Sequence, residues 1–249
     1  MKHTQLGNLP KSATGAPAFA GVKFQTPWDT LNYLELPPGA SFSPPPDAPF
    51  EQGYIVLDGP VKYAGDGPTQ QLRGPAVLLC QANTHHTLTN SGGQPARLLH
   101  MRVALDPPPD KKRALLREDV DVDQLKWRDA IHGGAGRIAT RHIWGPDDFS
   151  STWTFLDHAV LGSQSSVGYH YHDALEECFL ILRGRGYMTI ADETFEVGPG
   201  SATWQGIRAG HGIYNPHDDE LDFLRLAVAQ KDETYTTVDL HDSLAARRP

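Results

Sequence analysis

The stretch that decides the fold is GYHYHDALEECFLILRGRG, which runs from Gly168 to Gly186. It combines two histidines spaced two apart, an acidic pair, an apolar run and a glycine-rich turn. In a β-strand, residues two apart point to the same face, so His170 and His172 project together. A lone His-x-His pair occurs on ordinary strands as well as at metal sites. The choice between these two interpretations therefore depends on the rest of the chain.

The composition of the 249-residue chain is that of a soluble globular protein, with 39% apolar and 21% charged residues. Its 24 glycines and 20 prolines indicate many turns and short strands. The net charge of -8, without a basic stripe, argues against a nucleic-acid partner. No apolar run approaches the roughly 20 residues of a membrane span, and the N-terminus lacks the apolar core of a signal peptide. We therefore expect a cytoplasmic protein with Cys80 and Cys178 as buried thiols.

The order of patterns along the chain predicts an all-β protein in four parts. Residues 1–27 are polar and aperiodic, and they predict an N-terminal arm. In 28–105, short apolar runs alternate with turn sequences, which predicts a first barrel. The charged stretch 106–127 opens with three prolines after Asp106 and is interpreted as a linker. Strand patterns return in 128–249 and predict a second barrel.

The second half of the chain repeats landmarks of the first half. Four pairs of residues are each 125 positions apart: Gln52 and Glu177, Gly59 and Gly184, His86 and His211, Asn90 and Asn215. A shared offset at four landmarks indicates two similar β-barrels in one chain.

Strand alternation places the candidate metal ligands on one face. Glu177 begins the strand after the His-x-His pair, and alternation puts Glu177, Phe179 and Ile181 together. A buried carboxylate needs a partner because desolvating an unpaired charge is costly, and a divalent metal supplies one. His211, much further along, can complete the set from a separate strand.

Other residues near these ligands have simpler expected roles. Phe179, Ile181 and Trp204 are expected to keep the site partly dry. Glu176 has the wrong spacing for a ligand, so we expect it to face away as a surface or interface acid. His158 and His217 are isolated and are not expected to bind metal.

The complete pattern resembles the cupin family, and specifically a bicupin. The family's first motif matches Gly168, His170, His172, Glu177 and Gly184, and its second matches Gly198-Pro199-Gly200, His211 and Asn215. The resemblance implies two tandem cupin barrels of the jelly-roll, or double-stranded β-helix, type. It also implies a metal ion held by His170, His172, Glu177 and His211.

The same offset predicts that the first barrel lacks a metal. His170, His172, Glu177 and His211 map onto Pro45, Asp47, Gln52 and His86. Proline has no ligand atom, and one histidine with one aspartate is too small a set for a tight transition-metal site. We therefore expect a degenerate barrel in which His85 and His86 are structural.

The layout of a degenerate first barrel, a linker and a metal-bearing second barrel is similar to that of the (S)-ureidoglycine aminohydrolase-like family. That family has a Lys-Asp pair after its last strand, and Lys231-Asp232 stands there in this chain. The resemblance implies Mn²⁺ as the usual ion, with Lys231 as a substrate-binding residue. Strand parity then places Arg225 on the same side as Lys231, as a second cation for an anionic substrate. Two features depart from that family. Its metal ligands look like Glu, His, His and Gln, whereas the candidate ligands here are His, His, Glu and His. The aromatic residue that the family carries on its last strand is replaced by Ala227.

Three functions remain open at this point. The first is a metal-dependent hydrolase or deaminase, similar to the aminohydrolases, that acts on a small polar, nitrogenous carboxylate. The second is an Fe²⁺-dependent dioxygenase or a sugar isomerase, because three histidines and a glutamate also support dioxygen chemistry. The third is a non-catalytic metal-bearing cupin. Ligand type does not choose among Mn²⁺, Fe²⁺, Ni²⁺ and Zn²⁺. We expect a small-molecule substrate and no membrane partner, and self-association into a homo-oligomer stays open.

Overall fold

The computed structural model describes residues 2–45, 49–80, 82, 84–106 and 115–249. Within these ranges the chain is built of 22 β-strands and four one-turn 3-10 helices, which confirms the all-β prediction. None of the described helices has the length and apolar character to cross a membrane.

The strands follow each other closely along the chain. The first eleven are β1 (His3–Gln5), β2 (Ala16–Pro17), β3 (Trp28–Leu36), β4 (Ser41–Phe42), β5 (Phe50–Asp58), β6 (Pro60–Gly65), β7 (Gln70–Arg73), β8 (Ala76–Cys80), β9 (His86–Asn90), β10 (Ala96–Ala104) and β11 (Leu116–Asp119). The others are β12 (Lys126–Asp129), β13 (Arg137–Trp144), β14 (Trp153–Leu161), β15 (Ser166–His172), β16 (Leu175–Arg183), β17 (Gly186–Ile190), β18 (Glu193–Val197), β19 (Ser201–Gln205), β20 (His211–Tyr214), β21 (Leu221–Ala229) and β22 (Thr237–Asp239). The 3-10 turns are Leu6–Asn8, Val122–Gln124, Pro146–Asp148 and Leu244–Ala246.

Four antiparallel sheets form the two predicted barrels. In the first barrel, a six-stranded sheet ordered β11-β8-β5-β10-β3-β2 faces a four-stranded sheet ordered β4-β9-β6-β7. In the second, a seven-stranded sheet ordered β1-β19-β16-β21-β14-β13-β12 faces a five-stranded sheet ordered β18-β17-β20-β15-β22. Each barrel is thus the two-sheet jelly roll that the resemblance to cupins implies.

The apolar residues separate into the two barrel interiors and the contact between barrels. The largest buried cluster joins the outer faces of the six- and seven-stranded sheets, with Leu99 and Met101 from one barrel and Leu224 and Leu226 from the other. Because each large sheet is apolar on both faces, its strands are buried almost continuously.

Short strands from the N-terminal arm and from the predicted linker extend the edges of the two large sheets. β1, at the start of the chain, pairs with β19 of the second barrel, whereas β11 pairs with β8 of the first barrel. The stretch 106–127, predicted as a linker, therefore contributes β11 to a sheet, and its residues 107–114 lie outside the described ranges. The predicted boundaries of the four parts themselves stay a prediction.

Hydrogen bonds repeat at the predicted offset of 125. Asn90 Nδ2 donates to the carbonyl oxygen of Gln94 at 2.7 Å, and Asn215 Nδ2 donates to that of Asp219 at 2.7 Å. Gly59 and Gly184 both have positive φ, 80° and 81°. A side chain at Gly184 would place its Cβ only 2.2 Å from the carbonyl oxygen of Glu220, so the turn requires glycine.

Two buried glutamates connect the barrels reciprocally. Glu51 on β5 accepts hydrogen bonds from the backbone of Ser150 and Ser151 and from the Ser151 hydroxyl. Glu176 on β16 accepts the equivalent bonds from the backbone of Gln25 and Thr26 and from the Thr26 hydroxyl. Of the two predicted alternatives for Glu176, a surface or an interface acid, the structure shows the interface acid, because the residue is fully buried and bonded to the N-terminal arm.

Aromatic pairs accompany these glutamates at the same offset. Phe24 stacks on Trp28 with ring centroids 5.4 Å apart, and Phe149 stacks on Trp153 at 5.2 Å. Trp153 covers Gly53, where an added Cβ would lie 2.4 Å from the indole ring. The contact between barrels is therefore approximately two-fold symmetric, with each barrel held by the segment that precedes the other.

Candidate metal centre

Four side chains converge inside the second barrel, and they are the four that the sequence predicts. One ligand atom from each of His170, His172, Glu177 and His211 lies within 4.8 Å of all the others. All four residues are buried. They form the one cluster of this kind found among the described residues.

Three strands bring these residues together. β15 supplies His170 and His172 from one face, β16 supplies Glu177, and β20 supplies His211. β15 and β20 pair so that His170 lies opposite His211. Gly168 allows this packing, because a Cβ there would be 1.7 Å from the carbonyl oxygen of His132.

The three imidazole rings are oriented by contacts at their outer nitrogens. His170 Nδ1 donates to the Gly168 carbonyl oxygen at 2.7 Å, and His211 Nδ1 donates to that of Ala209 at 2.9 Å. His172 Nδ1 lies 3.0 Å from the Thr237 hydroxyl. These contacts fix the ring orientations, as outer-shell partners of metal-binding histidines commonly do.

The inner nitrogens fit a bound cation. In a neutral ring whose Nδ1 is the donor, Nε2 presents a lone pair, and His211 Nε2 lies 2.9 Å from Glu177 Oε2. Two acceptors at this distance repel each other unless a proton or a metal cation lies between them. His170 Nε2 is buried without a hydrogen-bond partner in the described part of the chain. A divalent ion would satisfy these atoms together, so the residues present fit a metal.

Electrostatics favours the ligand form of His170 and of Glu177. Burial lowers the pKa of His170 to about 2, and this keeps the ring neutral. For Glu177, burial alone raises the pKa, but hydrogen bonds with His172 and His211 and the charge of Arg225 outweigh it and hold the pKa well below its usual range. Neutral imidazoles and an ionised carboxylate are the states that bind metal.

Arg225 continues the polar cluster away from the ligands. Its Nη1 lies 3.7 Å from Glu177 Oε1, and its Nη2 donates to Asp157 Oδ2 at 2.6 Å. The other oxygen of Asp157 lies 2.5 Å from Nδ1 of His142 on β13. A line of polar groups therefore crosses the inner face of the large sheet.

Two further groups of residues surround the candidate ligands: aromatic polar side chains beside the histidines and an apolar wall beside Glu177. His132 stacks on His170 with ring centroids 4.1 Å apart, and Tyr235 stands edge-on to His172 at 5.6 Å. An apolar wall beside Glu177 consists of Phe155, Leu175, Ala227 and Ala229, with Tyr235 packed against it. Ala227 on β21 lies directly across from Glu177.

The sequence expectation for Trp204 does not match this arrangement. Trp204 was expected beside the ligands, but it pairs with Cys178 and packs against Phe24 on the opposite face of the sheet. This expectation is wrong, because it is Gln205 that lies across from Glu177. Phe179 and Ile181 do lie in the barrel interior, as predicted.

Lys231 is not brought together with Arg225. Its Nζ lies 2.9 Å from Asp106 Oδ2, and its side chain is 44% exposed. The parity argument does not extend to it, because β21 ends at Ala229 and Asp232 has a positive φ of 61°. Arg225, by contrast, lies inside the barrel next to Glu177.

His158 and His217 lie outside the cluster. His158 Nε2 is 2.9 Å from Asp222 Oδ1 in a buried pair, and His217 packs near Tyr187. Neither reaches the four candidate ligands.

Sequence reasoning missed His132, His142, Asp157 and Tyr235, which come from four different segments of the chain. Asp157 had a usable signal, because strand parity from the inward-facing Phe155 predicts that it points into the barrel. The loop residue His132 and the tail residue Tyr235 have no such periodic signal.

The fold and site together identify the class of protein. The family described as "Cupin domain" matches residues 32–102 and 158–228, one segment in each barrel. These matches span more than half of the chain, so the chain belongs to the cupin family, in a two-barrel form.

Similar proteins support the fold. A curated relative, the uncharacterized protein MJ1618 of Methanocaldococcus jannaschii, is 32% identical over 75 residues, which is 30% of this chain and 60% of that protein. The IolB-like protein of Salmonella typhimurium LT2 superimposes with a TM-score of 0.69 at 11% identity, covering 97% of this chain and 98% of that one. Protein YlbA of E. coli gives a TM-score of 0.64 at 12% identity, with 93% and 92% covered. These likenesses establish the architecture and leave the reaction to be argued from the site.

Proposed function

We propose that the second barrel is the active site of a metal-dependent enzyme that hydrolyses or deaminates a small polar, nitrogenous carboxylate, as the ureidoglycine aminohydrolases do. We propose Mn²⁺ as the ion, with His170, His172, Glu177 and His211 as its ligands. The main supporting observation is the convergence of these four ligand atoms, all from buried residues, within 4.8 Å of one another. A divalent ion bound there would polarise a carbonyl or imine group and lower the pKa of water.

Arg225 supports an anionic substrate. Its guanidinium group is buried beside Glu177, and its Nε has no hydrogen-bond partner in the described part of the chain. A buried cation with an unused donor suits a carboxylate, which is the usual partner of arginine. The role predicted for Lys231 stays a prediction, and the proposal does not depend on it.

The surrounding residues would orient the substrate and limit the entry of water. Phe155, Leu175 and Ala227 make one side of the site apolar. Tyr235 packs against this apolar side, next to His172, and burial followed by the negative charge of Glu177 raises the pKa of its phenol. Tyr235 thus remains a neutral hydroxyl that can donate a hydrogen bond to a substrate oxygen.

The test is release of ammonia from ureidoglycine by metal-free protein that has been reloaded with Mn²⁺. We expect the wild-type chain to release ammonia faster than the uncatalysed reaction, and Glu177→Gln to lose this activity. His85→Gln is the matched control, because His85 is exposed in the first barrel and should keep full activity. No ammonia from Mn²⁺-loaded wild type would exclude the aminohydrolase proposal.

The apolar wall beside Glu177 favours a second candidate function, an Fe²⁺-dependent dioxygenase. Apolar surroundings suit an aromatic or aliphatic substrate better than a highly polar one. Oxygen consumption by Fe²⁺-loaded protein distinguishes the candidates, because a hydrolase consumes no O₂. Neither a sugar isomerase nor a non-catalytic role is favoured by a particular contact among the described residues.

A further inference from the structure

The polar line from His142 to Glu177 has one solvent-exposed end and one buried end. On neighbouring strands, His142 lies opposite Asp157, and Asp157 lies opposite Arg225. The side chain of His142 is 73% exposed, whereas those of Asp157 and Arg225 are 3% and 9% exposed. The exposed imidazole is thus linked through two buried charges to the candidate metal centre.

The contacts make His142 the group that sets the net charge of this line. Asp157 uses one oxygen for His142 Nδ1 and the other for Arg225 Nη2. With the charge of Glu177 taken up by a metal ion, the charges of Arg225 and Asp157 cancel. Protonated His142 then makes the group positive, and neutral His142 leaves it uncharged.

Three charged groups act on His142 from the strands around it. Asp157 on β14 accepts its hydrogen bond, whereas Arg225 on β21 and Arg128 on β12 oppose its protonation. The hydrogen bond to Asp157 is the largest of these effects, and it raises the pKa of His142 above its usual value of 6.5. His142 is therefore the imidazole of this line, the type of side chain whose charge is most readily switched near neutral pH.

We propose that His142 and Asp157 are positioning residues for Arg225, and that protonated His142 enables the pocket to bind a small carboxylate anion. This inference rests on the proposed function in one respect, namely that an anionic substrate group meets Arg225. It adds that the affinity for this carboxylate depends on the charge of His142, a solvent-exposed residue that does not touch the four candidate ligands.

The test is the affinity of Mn²⁺-loaded protein for oxalate, measured by calorimetry between about pH 6 and about pH 9. Oxalate is a suitable probe because carboxyl groups stay ionised throughout this range. We expect the affinity to fall about five- to tenfold as pH rises through the pKa of His142, the size expected for one nearby partly screened charge. Proton NMR of the imidazole gives that pKa independently. By linkage, bound oxalate should strengthen proton binding by His142 by the same factor and so raise its pKa.

Two substitutions at the same position separate charge from structure. His142→Gln keeps a hydrogen-bond donor for Asp157 but is always neutral, and we expect weak oxalate binding that is independent of pH. His142→Lys is always positive in this range, and we expect tight binding that is independent of pH. The control His85→Gln should retain the wild-type profile.

The outcomes separate this inference from the proposed function. A wild-type affinity that does not change as His142 titrates, or a normal profile in His142→Gln, would overturn the inference and show that the pair only ties β13 to β14. Ammonia release without this pH dependence would leave the proposed function intact. The expected profile without ammonia release would support the carboxylate site and remove the aminohydrolase.

Discussion

The two barrels share one backbone plan but differ in what their interiors can do. In the second barrel, three imidazoles and a carboxylate point at one another, and His170 Nε2 has no hydrogen-bond partner among the described residues. In the first, Gln52 replaces the glutamate and accepts a hydrogen bond from His100 Nε2 at 2.9 Å. The Tyr54 hydroxyl forms a hydrogen bond of 2.7 Å with His86 Nε2.

The difference shows that capacity for metal depends on a few side chains rather than on the barrel. His100 is neutral because burial, followed by the charge of Arg102, lowers its pKa to about 3. Pro45, at the position of His170, is exposed, and Asp47 lies outside the described residues. Among the described residues of the first barrel, the polar side chains bond one another and no set of acceptors converges on a point where an ion could bind.

The largest expected effect is on metal affinity, when Glu177 of the second barrel is replaced by glutamine, the residue at the equivalent position 52 of the first barrel. Glu177→Gln removes the anionic ligand, and we expect metal affinity to fall by more than about 100-fold, beyond the range of outer-shell substitutions. Competition with a chelator measures this loss. The reciprocal change, Gln52→Glu, should not add a second ion, because Pro45 supplies no ligand. Undiminished metal affinity in Glu177→Gln would remove the distinction between the barrels.

The next effect tests the packing between barrels. Gly53→Ala would place a methyl group 2.4 Å from the ring of Trp153, and we expect a loss of up to about 3 kcal/mol in the free energy of unfolding. Gly93→Ala is the control, because nothing lies within 4 Å of its Cβ position. Denaturant unfolding measures both. Equal stability of the two variants would mean that Trp153 does not pack as described.

The reciprocal glutamate contacts give a smaller effect. Thr26→Val and Ser151→Ala each remove one hydroxyl donor from a buried carboxylate, and we expect each to cost about 2 kcal/mol of stability. Only Thr26→Val should also weaken metal binding, because Glu176 adjoins the ligand Glu177. Chemical unfolding and metal titration of both variants test this. Equal effects on metal affinity would show that the contact does not reach the ligand.

The smallest effect is a difference in pH dependence. The pKa of His100 is about 3 in the folded chain and about 6.5 when exposed. The free energy of unfolding therefore keeps its full value above about pH 6.5 and declines as pH falls toward 3, because the unfolded chain binds a proton that the folded chain does not. His100→Gln should lose this part of the slope, at most about 1.4 kcal/mol per pH unit. Unfolding midpoints at about pH 7 and pH 5 measure it. An unchanged slope would indicate that His100 is protonated in the folded barrel.

Much of the fold and the ligand cluster could be predicted because both follow from the spacing of residues along the chain. The offset of 125 recurs in the hydrogen bonds of Asn90 and Asn215, and strand parity correctly placed Phe179 with Glu177. Parity does not extend beyond the end of a strand, as at Lys231. It also does not say which residues pair across strands, so it could not show that Gln205 rather than Trp204 lies opposite Glu177.

Contacts between distant segments could not be predicted in the same way. Glu176 looks like an exposed acid until the arm residue Thr26 covers it. The repeat does contain a signal for this contact, because Thr26 and Trp28 recur as Ser151 and Trp153 at the same offset. Loop and tail residues such as His132 depend on three-dimensional packing alone.

The central claim is that one metal ion binds in the second barrel and none in the first. A crystal structure of Mn²⁺-loaded protein, with anomalous scattering measured at the manganese edge, tests it directly. We predict one anomalous peak, surrounded by His170, His172, Glu177 and His211. A peak between His86 and His100, or none at the predicted position in protein soaked with Mn²⁺, would contradict the account.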